Sequence, residues 1–284
     1  MPDPISQSVE LRAGSLRLAL RADLGGSIAG LWHDGTPVLR STEPADLALP
    51  RASASYPLVP YSNRVGHMRF EWMGQSYTTV PNFGDSPHSV HGVAWLRAWD
   101  VVSADATEAV LRYVHTPDAH WPFAFEVEQH FRLTPQALEV SFAFKNTDAR
   151  PQPVGLGWHP YFPKRARSRL EIDLTGRWVS DASELPTHRV AEPGLHADVA
   201  LAVPGDCLHA SYLQNSGTSE VVTAMVGAKL GPRVRRRGPR GRPGRPPSGM
   251  RTPAAASRRL LAVLRLELLD AAGGVHDARL AGEE

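Results

Sequence analysis

Three short stretches hold most of the residues able to do chemistry: Pro60-Tyr61-Ser62-Asn63-Arg64, His88-Ser89-Val90-His91-Gly92 and Gly157-Trp158-His159-Pro160-Tyr161-Phe162. An arginine, two or three imidazoles and several aromatic rings describe a pocket for a neutral ligand rich in hydroxyls. The Arg64 guanidinium offers five donors in a fixed fork and stays charged, so it can orient ring and hydroxyl oxygens or clamp a carboxylate. A surface arginine paired with an acidic neighbour is the other reading. His159 has apolar neighbours, and an imidazole titrates near neutrality and can give or accept a proton, as general acid–base work requires. A satisfied core histidine would look the same in sequence.

His88 and His91 invite a metal. On a strand, residues three apart point to opposite faces, so they could share an ion only across a turn. No third ligand of suitable spacing accompanies them, so no metal is expected. One of the two imidazoles can hydrogen-bond a ligand hydroxyl, or His88 can be a loop histidine in solvent. Trp72, Trp95, Trp99, Trp121, Phe123 and Trp178 could wall a sugar's C–H face, although most such rings go to core burial. A Gly-x-Ser-x-Gly elbow, a P-loop and a dinucleotide fingerprint are all absent. Gly25-Gly26 and Gly155-x-Gly157 lack the remaining glycines and the following helix.

Short strands must carry these residues. Val9 to Arg21 reads as two strands around Ala13-Gly14, with a bend at Gly25-Gly26. Ile28 to Trp32 is the next strand, closed by the hairpin signal Asp34-Gly35. Residues 44–60 read as loop, and Arg69 to Val80 as a hairpin around Met73-Gly74. The clearest alternation places Phe125, Val127, Phe131 and Leu133 on one face and Glu126, Glu128, His130 and Arg132 on the other. After Thr134-Pro135-Gln136, Leu138, Val140, Phe142 and Phe144 share a face. Period-two patterning of this kind is that of half-buried antiparallel strands. Many short strands with Gly/Pro turns predict an all-β fold, a sandwich or a barrel.

The chain has 284 residues, 42% hydrophobic and 21% charged, enough to bury a large core. Its single cysteine, Cys207, excludes an internal disulfide framework. With no apolar run of membrane-spanning length and no signal-like start over residues 1–10, a cytoplasmic protein without membrane association is expected. The net charge of +2 hides an asymmetry: Val221 to Leu266 contains no acid but Lys229 and eleven arginines, so it carries +12 and the remainder −10. Residues 231–253 are an Arg/Gly/Pro mixture unable to bury apolar area. Pro253 to Asp270, with Leu260, Leu261, Leu264 and Leu268, reads as a helix closed by Gly273-Gly274. The division expected is a β domain over residues 1–218 and a divergent segment over 219–284.

From about Leu11 to about Leu208 the chain resembles the aldose 1-epimerase (galactose mutarotase) family. Pro60-Tyr61-Ser62-Asn63-Arg64-Val65 with Gly66 is similar to that family's Asn-Arg loop, the His88–Gly92 run with Trp95 to its His-Gly segment, and Gly157–Phe162 to its central His motif. The resemblance implies a large antiparallel β-sandwich, the mutarotase supersandwich, acting without cofactor on a free aldohexose such as galactose. It implies His159 as general acid, with His91 beside it in catalysis, and Asn63, Arg64, His88 and Asp206 as substrate-binding residues. The chemistry implied is loss of the anomeric hydroxyl proton to a base, protonation of the ring oxygen by an acid, ring opening, rotation about C1–C2 and reclosure.

The family's general base is a glutamate in a Val-Glu-Pro motif, and no such motif follows Asp206. Glu220 precedes Val221-Val222, and Glu267 sits in Leu266-Glu267-Leu268, similar at most to a terminal strand. A reading-frame change near residues 208–220 of a GC-rich gene would produce such a run of Arg, Pro, Gly and Ala; a divergent tail is the alternative. Three functions compete: an isomerase of weakened activity, a non-catalytic monosaccharide-binding protein on the same fold, and an RNA- or membrane-surface binder using the basic run. The last ranks lowest, because that run lacks interleaved aromatics for base stacking, and no nucleic-acid partner is expected. A monomer or homodimer is.

Overall fold

The computed structural model describes residues 8–163, 169–172, 177–191, 195–198, 207–208, 211–215, 221–225, 260–271 and 275–281. An N-terminal sheet is built from β1 (Ser8–Ala13), β2 (Leu16–Arg21), β3 (Ser27–His33) and β4 (Thr36–Pro37), each antiparallel to the next. Gly25 (φ 72°) turns the chain between β2 and β3 and lies against the Trp95 main chain; a β-carbon there would stand 2.1 Å from the Trp95 carbonyl oxygen. No other residue fits.

The segment up to residue 100 is made of short pieces, which suits a stretch that must deliver side chains rather than build a layer. They are β5 (Pro57–Leu58), β6 (Arg64–Val65), the hairpin of β7 (Arg69–Trp72) and β8 (Gln75–Thr78), and β9 (Ser89–Val90). Next come β10 (Asp100–Ala104), β11 (Glu108–His115), β12 (Phe125–Leu133) and β13 (Ala137–Asn146). Burial alternates along β12, with Phe125, Val127, Gln129, Phe131 and Leu133 inside. The hairpin register Val127↔Phe144, Phe131↔Val140 and Leu133↔Leu138 puts the two apolar faces together. Those residues share one core with Leu11, Leu18, Leu20, Ile28 and Leu31 of the first sheet. Two antiparallel sheets closing on a common core make this a β-sandwich, as the alternation predicts.

The remaining strands are β14 (Gly157–Trp158), β15 (Phe162–Pro163), β16 (Arg169–Ile172), β17 (Arg177–Ser180), β18 (Pro186–Val190), β19 (Leu195–Asp198), β20 (Cys207–Leu208), β21 (Ser211–Asn215), β22 (Val221–Met225), β23 (Leu260–Ala271) and β24 (Val275–Ala281). The helix expected over Pro253 to Asp270 is not formed where the chain is described: Leu260–Ala271 is a strand, paired with β13 from Phe144↔Leu260 to Ala137↔Glu267. The large sheet runs β10-β11-β12-β13-β23-β24. The leucines explain the difference. Leu264, Leu266 and Leu268 alternate with Arg265 and Glu267, a period of two that serves a sheet and outweighs helix propensity. Residues 253–259, the Arg/Gly/Pro mixture and Gly273-Gly274 lie outside the described residues.

Candidate functional site

Asn63 and His91 sit at one end of the two-residue ladder between β6 and β9, where Arg64 pairs with Val90 and Val65 with Ser89. The His91 amide donates to the Asn63 carbonyl at 2.7 Å. Asn63 (φ 59°), His91 (φ 63°) and Gly92 (φ 71°) all take left-handed backbone, so the chain turns sharply on both strands. Gly92 has no substitute, since a β-carbon would fall 2.0 Å from the Val59 carbonyl oxygen. Asn82 clamps the same turn from outside. Its Nδ2 donates to the carbonyls of Val90 and Gly92, both at 2.9 Å, and its Oδ1 accepts from the Val90 amide at 2.7 Å.

His159 arrives from β14, which pairs Gly157 with Leu58 and Trp158 with Pro57. Its amide donates to the Tyr56 carbonyl at 3.0 Å. Behind it, the Trp158 ring stacks on Phe142 at 4.0 Å and its Nε1 donates to Gln129 Oε1 at 2.7 Å. Gln129 Nε2 donates in turn to the Gly26 carbonyl at 2.8 Å. One buried amide thus ties the bend of the first sheet, the middle of the large sheet and the strand before His159.

These elements bring His91 and His159 together. Their rings meet edge to face at 5.2 Å, and His159 lies almost parallel to Tyr56 at 4.8 Å. Tyr161 closes on His159 at 4.6 Å, Trp95 on Tyr56 at 5.4 Å and Phe83 on His91 at 6.5 Å. Both imidazoles are buried. Burial, with help from Tyr161, pushes the Tyr56 phenol far above its ordinary value, so it stays a neutral O–H. The Arg40 guanidinium covers the other face of the group, 3.7 Å from the Tyr161 centroid. Of the six aromatic side chains proposed from sequence as a sugar wall, Trp95 stands in this group. Trp99 packs on Tyr113, Trp121 on Phe70, and Phe123 on Tyr77.

Arg64 Nη1 donates to Asn63 Oδ1 at 3.0 Å, and Nη2 forms an ion pair with Glu184. Its buried Nε has no hydrogen-bond partner among the described residues. His88 is fully buried and held by main chain on both sides: Nδ1 accepts from the His67 amide at 2.9 Å, and Nε2 donates to the Ser183 carbonyl at 3.0 Å. Both of its polar atoms are spent on structure. Asp206 lies outside the described residues. Sequence reading missed Tyr56, Asn82, Gln129 and Glu184; only Asn82, in Val80-Pro81-Asn82, carries a local turn signal.

The short strands of the β-sandwich thus bring two imidazoles and a group of stacked aromatics together, with Arg64 on the neighbouring β6. The sequence model of the aldose 1-epimerase family matches residues 7–205, and the chain belongs to that family. It is 37% identical over 169 residues to the uncharacterised protein YphB of Escherichia coli K12, covering 60% of this chain and 56% of YphB. A solved structure of an aldose 1-epimerase candidate from Escherichia coli K12 superposes with a TM-score of 0.60 and 34% identity, over 65% of this chain and 62% of that one. A galactose mutarotase-like protein of Clostridium acetobutylicum shares the fold, with a TM-score of 0.57 and 21% identity over 65% and 61% of the two chains. The chain thus spans little more than half the length of YphB.

Proposed function

We propose that this chain binds a free aldose against His91, His159 and Arg64 and interconverts its anomers, with His159 protonating the ring oxygen. The contact between the His91 and His159 rings inside the aromatic group carries the reading. It supplies a proton donor and a second imidazole at one place, with apolar faces able to take a sugar's C–H surface. Asn63 orients Arg64, and Arg64 orients the substrate oxygens. His88, with both nitrogens occupied, serves as a support for the β9 turn; Asp206 contributes to hydroxyl binding.

Ring opening transfers the anomeric hydroxyl proton to a base while the C1–O5 bond breaks and O5 takes a proton from His159; reclosure on the other face reverses both transfers. Without the family's Val-Glu-Pro glutamate, solvent removes the first proton, and turnover falls roughly 10²–10⁴-fold below that of a complete acid–base pair. The same missing motif favours a second reading, a monosaccharide-binding protein without catalysis. Polarimetry on fresh α-galactose separates them. Acceleration above buffer that His159→Ala removes supports the isomerase. Saturable calorimetric binding at the buffer rate supports the binding protein. Acceleration unchanged in His159→Ala removes the acid assignment.

A further inference from the structure

The tip of the β17–β18 hairpin lies over the arginine side of the site. Asp181 Oδ1 accepts from the Ser183 and Leu185 amides at 2.8 and 3.1 Å, which shapes the tip. The Ser183 carbonyl takes the proton of His88 Nε2 at 3.0 Å, and Leu185 lies 3.1 Å from the position a β-carbon would take at Gly66, two residues from Arg64. Between these anchors Glu184, in left-handed backbone (φ 67°), sets its carboxylate on the Arg64 guanidinium. The partners differ in exposure: the Arg64 side chain is 22% exposed and that of Glu184 71%.

We propose that Glu184 is a specificity-determining residue that neutralises Arg64 and thereby restricts the site to uncharged aldoses. This rests on the aldose-pocket reading above. A half-buried guanidinium without a counter-charge would favour carboxylate- and phosphate-bearing sugars, through bidentate contacts that a hydroxyl cannot match. With Glu184 in place, one Nη is engaged and an anionic ligand meets a carboxylate. The Nη hydrogens not taken by Asn63 and Glu184 still serve neutral oxygens. A fixed like charge gives discrimination by repulsion rather than by new attraction.

The test is calorimetric titration of galactose and galacturonate into the full chain and into Glu184→Gln, at low and at high salt. A single charge at this range is worth on the order of tenfold in affinity. The wild-type protein should prefer galactose, and Glu184→Gln should raise the galacturonate/galactose affinity ratio about tenfold, with the gain shrinking as salt is added. Glu184→Asp should restore much of the preference. A purely structural role would weaken both sugars together and leave the ratio unmoved. An unchanged ratio with galactose still bound overturns the role of Glu184 alone; no saturable binding of either sugar to either protein overturns the pocket and this proposal with it.

Discussion

His91 holds a backbone conformation that costs a residue with a β-carbon about 1–3 kcal/mol, and it is held there by its surroundings. The Asn63 carbonyl, the Asn82 side chain and the absence of a β-carbon at Gly92 all act on the same turn. Asn82→Ala would remove three hydrogen bonds from the turn and should cost about 1–3 kcal/mol in denaturant unfolding. Sugar affinity should fall with it, although Asn82 is given no contact with the ligand. Gly92→Ala should destabilise the fold more, because a 2.0 Å approach to the Val59 carbonyl leaves no local adjustment. The family resemblance pointed to Asn63, Arg64, His91 and His159, whereas residue types alone left a surface arginine and a core histidine open. Gly92 and Trp95 set His91 apart from His88 in sequence, but a solvent loop was the wrong alternative for His88, which is buried; what surrounds each comes from elsewhere, the His67 amide and Ser183 carbonyl around one, and Tyr56, Phe83 and His159 around the other.

The strands deliver these residues through a few buried polar links. Gln129 is the clearest, in a position whose neighbours Val127 and Phe131 are apolar, so alternation alone marks its face and gives no hint of its role. Gln129→Leu should cost about 1–3 kcal/mol for each group left unpartnered, the Trp158 indole N–H and the Gly26 carbonyl. A shifted indole signal in near-ultraviolet circular dichroism would report it. At the end of β11, His115 is bonded through Nδ1 to the Tyr113 hydroxyl at 2.9 Å and through Nε2 to the Trp121 carbonyl at 3.0 Å. Burial holds it below its ordinary value of 6.5. The unfolded chain therefore binds the proton more readily, and the contribution of His115, complete above about pH 6.5, is lost as pH falls below it. Between pH 7.5 and 5.5 the melting temperature should drop further for the wild type than for His115→Gln. Hairpins with strict alternation were legible in the sequence. The two-residue strands β5, β6, β9 and β14 were not, since nothing so short carries a period.

At the scale of the whole molecule, the departure concentrates beyond residue 205, where the family match ends. The acid-free run from Val221 to Leu266 reaches the first residues of β23, which nonetheless covers the free edge of β13 through eight paired positions. Removing residues 260–284 should expose that edge and cause concentration-dependent association, visible in size-exclusion light scattering. A monodisperse truncated protein of unchanged melting temperature would show that β23 contributes nothing to stability. We propose, as a source of the basic run, a frame change near residues 208–220. Another frame of the gene should then encode alternating β-type residues with a Val-Glu-Pro motif, and restoring it should raise turnover by supplying the base. Its absence from both other frames would leave a divergent tail.

We propose that His91 and His159 belong to one aldose pocket and that His88 lies outside it. Nitrogen-15 imidazole spectra recorded during a galactose titration address it directly. The His91 and His159 ring signals should move together along one saturation curve, while those of His88 stay in place. Movement of His88 with neither of the other two, or no saturable shift in any of the three, would contradict it.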